Sequence, residues 1–196
     1  MKVVIIKYNA GNIRSVLFAL ERIGINAIVT DDYDEIRAAD RVIFPGVGEA
    51  SSAMRYLKEK GLDQLICSLK QPVLGICLGM QLMCAHSEEN DTQCLGIFKQ
   101  KVKRFSEIGL KVPQIGWNNI INLKSPLFKG IPENAYMYFV HSYYVENCGD
   151  AIAKTDYVQL YSSAVNKNNF YAVQFHPEKS GEIGQKILDN FINGIY

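Results

Sequence analysis

The chain is predicted to be an α/β protein, a mostly parallel open sheet flanked by helices with an antiparallel strand extension. Three observations predict it. In the first half, short apolar runs alternate with stretches of helical spacing, the pattern of parallel sheets with helices on both faces. Those runs are unbroken, as in strands covered on both sides. In the second half, helices give way to short strand-like runs separated by Gly- and Asn-rich turns. The 196 residues show no internal repeat, low-complexity segment or linker, so 1–196 reads as one domain, long enough to bury a core.

The elements follow in order. Val3–Ile6 is an apolar strand, and Tyr8-Asn9-Ala10-Gly11-Asn12 a polar turn. From Ile13, apolar residues recur at Val16, Leu17, Leu20 and Ile23, which is helical spacing, and Gly24 stops the helix. Residues 27–30 form a second strand, and Asp31 and Asp32 can cap a short helix over 33–39. Strand Arg41–Phe44 runs into Pro45-Gly46-Val47-Gly48. Helices over 50–60 and 62–69 lead to the strand Val73–Ile76. Strands are expected over 99–105, 117–123, 136–140, 151–155, 158–161 and 170–175, with a turn at 166–169. A last helix spans Gly181–Asn193, with Ile183, Ile187, Leu188, Phe191 and Ile192 on one face.

Composition excludes several classes. Net charge is +1 without a basic block, so neither nucleic acid nor a membrane surface is an expected partner. No apolar run approaches the roughly 18 residues of a transmembrane helix. The five cysteines are odd in number and not tightly spaced, which argues against a disulfide framework or a Cys-x-x-Cys zinc site. With no signal peptide read ahead of the first strand, a reducing cytoplasm is the expected compartment. No metal or organic cofactor is expected.

Residues 73–81 carry the strongest signal. A short apolar strand ends in Gly75-Ile76-Cys77-Leu78-Gly79, then a helix is expected. This is the outline of a nucleophile elbow, where the reactive side chain sits on a sharp strand-to-helix turn. Gly75 and Gly79 allow close approach of chain segments. The helix dipole favours thiolate over thiol. The bland alternative is a buried cysteine beside a helix. A thiolate nucleophile needs a base, and the base an orienting group. Of three histidines, His86 is placed on the helix leaving the elbow, as a helix-end or surface residue. His141 opens His141-Ser142-Tyr143 after a strand. His176 stands in Gln174-Phe175-His176-Pro177-Glu178-Lys179-Ser180. Positions i and i+2 of an extended segment share a side, so Glu178 can hold the His176 ring towards Cys77. Alone, this segment also reads as a surface turn before a helix capped by Ser180 or Glu178.

Together, the Gly-x-Cys-x-Gly-x-Gln elbow and Phe175-His176-Pro177-Glu178 resemble the class I (triad) glutamine amidotransferases, which have a flavodoxin-like fold. Within that family, Pro45-Gly46-Val47-Gly48, Gly11-Asn12-Ile13-Arg14 and Ile115-Gly116-Trp117-Asn118 look like glutaminase subunits of imidazole glycerol phosphate synthases. Asn9-Ala10 departs locally from that pattern. The resemblance implies that Cys77 attacks the side-chain amide of L-glutamine, His176 moves the proton and Glu178 orients His176. It implies an oxyanion hole from the N–H groups of Leu78 and Val47. Gly46 and Gly48 would let that strand rotate a peptide, so that the hole forms on activation. It assigns Gly48, Gln81, Glu89 and His141-Ser142-Tyr143 to substrate binding. It implies a heterodimer partner, a (β/α)8-barrel synthase (cyclase) subunit, with Asn12, Arg14, Trp117, Asn118 and Lys179 as candidates for the docking surface. Trp117 reads equally as core. Two alternatives stay open: a paralogue feeding ammonia to an amidino-sugar or similar synthase, and a non-catalytic subunit that only binds a partner.

Overall fold

The computed structural model describes residues 1–9 and 11–195. Ala10, within the expected polar turn, lies outside the described residues. The first half alternates as expected: β1 Val3–Ile6, α1 Ile13–Glu21, β2 Ile28–Thr30, α2 Tyr33–Arg37, β3 Arg41–Phe44, α3 Ala50–Glu59, α4 Leu62–Ser68, β4 Val73–Ile76 and α5 Leu78–Met83. There follow β5 His86–Ser87, β6 Thr92–Gln93, β7 Lys101–Arg104, β8 Gln114–Asn119, β9 Tyr136–His141, β10 Tyr143–Val145, β11 Ala151–Tyr157, β12 Gln159–Lys167, β13 Phe170–Val173 and α6 Gly181–Asn193.

The main sheet has the order β2-β1-β3-β4-β13-β12-β10-β7-β5-β6, with β11 on β12. Pairing is parallel from β2 to β13 and antiparallel from β13 through β12 and β10 to β7. The unbroken apolar strands have a direct reason. Val3 and Ile5 enter one core with Leu20, Ile187 and Phe191, while Val4 and Ile6 enter another with Ile36, Leu57 and Leu65. Side chains alternate between faces, so a strand with helices on both must be apolar throughout. Asp32 caps α2 by accepting from Glu35 N–H at 2.9 Å.

Several expectations need correction. The strand at 170–175 belongs to the parallel region: the β12–β13 hairpin turns the chain back so that β13 lies parallel to β4. The strand expected over 117–123 is shifted to β8, because Asn122 turns the chain at φ 57°. β8 and β9 form a separate two-stranded ribbon. The strand expected over 158–161 starts one residue later and runs to Lys167, since Val158 is itself the turn residue, at φ 61°. The turn at 166–169 is correspondingly tighter, with Asn168 at φ 55°. His86 is not on the elbow helix. α5 stops at Met83, and His86 lies in β5, paired with Gln93 and Lys101 and bonded to Asp91 at 2.8 Å. β5, β6 and β10 are two or three residues long, too short for periodicity to reveal.

The glycines of the elbow are required by contact. A Cβ at Gly79 would stand 2.0 Å from the Phe44 carbonyl oxygen, and one at Gly75 would meet the Met83 sulfur at 3.0 Å. The clash at Gly79 is with β3 backbone, which cannot swing aside. Gly79→Ala is therefore expected to lower stability by about 3 kcal/mol. Gly149→Ala, with nothing within 4 Å of its Cβ, should leave the urea midpoint unchanged. Equal midpoints for the two variants would contradict the packing argument.

Candidate active site

The C-terminal ends of β1, β3, β4 and β13 converge, as they do at ligand sites of open α/β sheets. The register Ile76↔Val173 sets Cys77 beside Gln174, and Cys77 N–H donates to Val173 O at 2.8 Å. Cys77 has φ 52° and ψ −106°, a conformation costing a non-glycine residue about 1–3 kcal/mol. Such strain belongs to a nucleophile elbow, where the turn must lift one side chain out of the chain's path.

His176 and Glu178 meet beside it. Both side chains are fully buried, and Nδ1 of His176 lies 2.7 Å from Oε1 of Glu178. The carboxylate accepts, so the network assigns a proton to Nδ1 and turns Nε2 towards the sulfur. Nε2 makes no regular hydrogen bond among the described residues, and the Cys77 sulfur acts on the ring from that side. Burial alone would lower the ionisation of His176. The facing Cys77 sulfur, then Glu178, outweigh it and push the imidazole up to about 10. An imidazolium is thus the favoured form opposite the sulfur.

Most of the remaining candidates line one cleft of about 300 Å³. Its walls include Val47, Gly48, Cys77, Leu78, Gln81, Glu89, His141, Ser142 and Tyr143. Gln81 is nearly buried, and its Nε2 donates to Tyr143 O and to Gln174 Oε1, each at 3.0 Å. His141 donates from Nδ1 to Tyr143 O at 2.7 Å. Burial, more than the opposing bond to Tyr143, holds the His141 ring down at about 4, hence neutral. Tyr143 O accepts from both Gln81 and His141, which occupies both its lone pairs, while Ser142 O accepts one bond, from Phe105 N–H at 3.0 Å. Glu89 is no free acidic loop. Its Oε2 accepts from Ala50 N–H at 2.7 Å, at the start of α3. Burial raises its ionisation above the usual carboxylate value.

The oxyanion expectation needs correction. Leu78 N–H donates to Gly46 O at 3.2 Å. The Gly46–Val47 peptide thus turns its carbonyl, not its N–H, to the elbow, and the two expected donors do not converge in this conformation. Gly48, next in line, holds φ 127°, which only glycine adopts readily. Tyr8 donates to Pro45 O at 2.5 Å beneath the same strand. A Cβ at Gly46 would collide with the Tyr8 hydroxyl at 2.3 Å.

The docking candidates divide. Trp117 is 56% exposed, which rules out the core reading. Its ring lies 6.0 Å from Tyr138, over which the exposed Lys179 sits at 5.9 Å. Arg14 is exposed. Asn118 is a correction: strand alternation turns it away from Trp117, and its Nδ2 donates to Asp156 O at 3.0 Å. Asn12 is tied to the histidine pair, donating to Glu178 Oε1 and lying 3.5 Å from His176 Nδ1. The ribbon reaches the pair too, since His176 N–H donates to Tyr138 O at 2.9 Å. Ser180 gives α6 no side-chain cap; its hydroxyl donates to His176 O and accepts from Tyr138 N–H.

Sequence reasoning gave Gln174 no role. It is fully buried, and its Nε2 lies 3.6 Å from the Cys77 sulfur. The extended segment expected from Gln174 to Glu178 needs correction: the strand ends at Val173, the chain bends at Gln174 and Phe175, and Glu178 lies in a 3-10 turn, Pro177–Lys179, which brings its carboxylate to His176 by a turn and not by strand alternation.

The sequence profile described as glutamine amidotransferase class-I matches residues 4–195. The chain belongs to this family. Among its relatives, a protein named imidazole glycerol phosphate synthase subunit HisH from Bacteroides fragilis is 59% identical over 98% of this chain and 99% of its own length. A protein of the same name from Bacteroides thetaiotaomicron is 55% identical over 98% of this chain and 100% of its own. A third, from Haemophilus influenzae, is 45% identical over 100% of this chain and 98% of its own. Two solved structures share the amidotransferase fold: a putative GMP synthase protein from Thermoplasma acidophilum (TM-score 0.75, 21% identity, covering 98% of this chain and 92% of that one) and PurLQS from Thermotoga maritima (TM-score 0.74, 17% identity, 100% and 99%). No helix among the described residues is long and apolar enough to cross a membrane.

Beside the cleft, Glu49 caps α3, accepting from Ser51 N–H at 2.7 Å and Ser52 N–H at 2.8 Å, and Asn90 Nδ2 adds a third bond. Slight burial opposes its ionisation, but these bonds prevail and hold it down at about 2, against 4.5 ordinarily. A lowered carboxylate contributes stability above its unfolded value and loses it as pH falls through the folded one. Glu49→Ala should therefore cost about 1 kcal/mol at neutral pH. In urea titrations the gap to the unsubstituted chain should be constant above pH 4.5 and close as pH falls towards 2. A gap independent of pH would contradict the capping role.

Proposed function

We propose that this chain hydrolyses L-glutamine to glutamate and ammonia and supplies the ammonia to a separate synthase subunit making imidazole glycerol phosphate in histidine biosynthesis. The observation that carries the chemistry is the buried His176–Glu178 pair set against Cys77 on a strained elbow. The histidine-pathway acceptor rests on relatives at 45% to 59% identity that share the name imidazole glycerol phosphate synthase subunit. They favour this acceptor over an amidino-sugar synthase. Two cores on opposite faces of one continuous sheet support reading the whole chain as one domain.

The Cys77 thiolate attacks the side-chain amide carbon of glutamine. The imidazolium of His176 gives its proton to the departing nitrogen, which leaves as ammonia. A γ-glutamyl thioester remains on Cys77. His176, now neutral, takes a proton from water, whose oxygen attacks the thioester, and glutamate leaves with the thiolate restored. Glu178 keeps the ring in its tautomer and stabilises its charged form. Glu89 suits the substrate ammonium, and Oε1 of Gln81, which has no hydrogen-bond partner among the described residues, is a second acceptor for it. The tetrahedral oxyanion needs preorganised donors. Gly46 O now occupies Leu78 N–H, so the Gly46–Val47 peptide must turn over before Val47 N–H joins it. Ammonia released to water would be protonated and lost as a nucleophile. A barrel synthase docked as a heterodimer partner over Trp117, Lys179 and Arg14 would receive it directly.

Glutamine hydrolysis, measured with and without a barrel synthase partner, tests the reading. Cys77→Ala and His176→Asn should each lower kcat by about a thousandfold or more with the circular dichroism spectrum retained. A Cys77→Ala chain that still hydrolyses glutamine would overturn it. For the partner, Trp117→Ala should weaken the complex by roughly thirtyfold in calorimetric titration, as loss of an aromatic anchor does. Unchanged affinity would reject the anchor role.

A further inference from the structure

We propose that Gln174 is a further catalytic residue: its side-chain N–H donates to the Cys77 sulfur and stabilises the thiolate, with the direction of that bond set by a chain of hydrogen bonds through Gln81. The inference deepens the glutaminase reading and rests on Cys77 as its nucleophile.

A carboxamide has two ends of nearly equal size, and only the nitrogen end helps a thiolate. The orientation here follows from a group that cannot be reversed. Tyr143 O is a backbone carbonyl and only accepts. It takes a bond from Gln81 at 3.0 Å, so the nitrogen end of Gln81 must face it. The other N–H of that nitrogen reaches Gln174 at 3.0 Å, so Gln174 must turn its oxygen to Gln81. Its nitrogen then faces Cys77, at 3.6 Å. Gln174 has no solvent exposure, and burying a carboxamide is costly unless its polar ends are satisfied.

The sulfur's surroundings show why such a donor is needed. As a thiol, Cys77 can donate to Val140 O at 3.8 Å, but a thiolate only accepts and would be repelled by that carbonyl. Among the described residues, the side chains set to stabilise a sulfur anion are His176 and Gln174. When the thioester breaks and the sulfur leaves as an anion again, Gln174 is already in place to donate to it.

Alkylation of Cys77 by iodoacetamide reads the thiolate without any glutamine turnover. Mass spectrometry of the Cys77 peptide in the full chain keeps the exposed Cys67 out of the signal. Gln174→Met removes the donor. Gln174→Glu keeps an acceptor for Gln81 but offers the sulfur a carboxylate. The other titratable side chains facing the sulfur, His176, Tyr8 and Tyr161, stay in both. Measured on the acid side of the pH profile, alkylation should slow roughly tenfold in each, because the profile's midpoint is raised by about one unit. A folded variant with the unsubstituted profile would overturn the proposal. In the unsubstituted, nitrogen-15-labelled chain, the Gln174 side-chain amide resonances should move with the Cys77 titration and respond to its alkylation. Resonances that do neither would overturn it even if both variants failed to fold. Activity surviving in Cys77→Ala would instead sink the glutaminase reading and leave the alkylation result standing.

Discussion

The parallel pairing of β13 with β4 is the constraint on which the site depends. Two strands far apart in sequence are locked residue to residue, Phe170 on Val73 through Val173 on Ile76. The lock ends in the bond from Cys77 N–H to Val173 O. Beyond it each strand departs in its own way: one turns sharply into α5, and the other bends at Gln174 and Phe175 and carries His176 into the 3-10 turn Pro177–Lys179. A sulfur, an amide and an imidazole are thereby set on adjacent rails. The apolar cores on both faces hold the rails in place, which lets the turn at Cys77 remain strained.

Polar groups at the site are directed by backbone more than by one another. Tyr143 O orients Gln81 and His141, Tyr138 O holds the His176 amide, and Gly46 O occupies Leu78 N–H. Carbonyls cannot switch roles between donor and acceptor, so they give each side chain a definite sense. Glu178 is the exception, a buried carboxylate taking both His176 and Asn12 on one oxygen. Such a pair is expensive to bury and of little use as a stabiliser. Its value lies in keeping the ring charged and aimed.

Much of this was legible in the sequence where a residue type had a single physical use. Unbroken strands at Val3–Ile6 and Arg41–Phe44 announced two-sided burial, and Gly79 announced a contact too close for a side chain. Cys77, His176 and Glu178 were found because spacing and chemistry agreed. The parallel sense of β13 was not legible, since strand direction is decided by the β12–β13 hairpin and not by the strand's own residues. Nor were His86, Asn118 and the true start of β8, where a short helix and an unexpected turn changed which way side chains point. The Gly46 carbonyl at Leu78 could not be read at all, because a peptide's orientation leaves no trace in residue identity. Gln174 was not legible either: what sets it beside Cys77 is the β4–β13 register, and Glu178 meets His176 through the 3-10 turn and not through the alternation that suggested it.

The bond between His176 N–H and Tyr138 O has a mechanical side. Tyr138 belongs to the ribbon whose outer surface carries Trp117, bare to solvent, and the ribbon is a separate sheet from the one that positions Cys77. His176 is therefore anchored twice, through β13 to the sheet that carries Cys77 and through its own amide to the ribbon that carries Trp117. A surface aromatic and a buried base thus hang on one short piece of backbone.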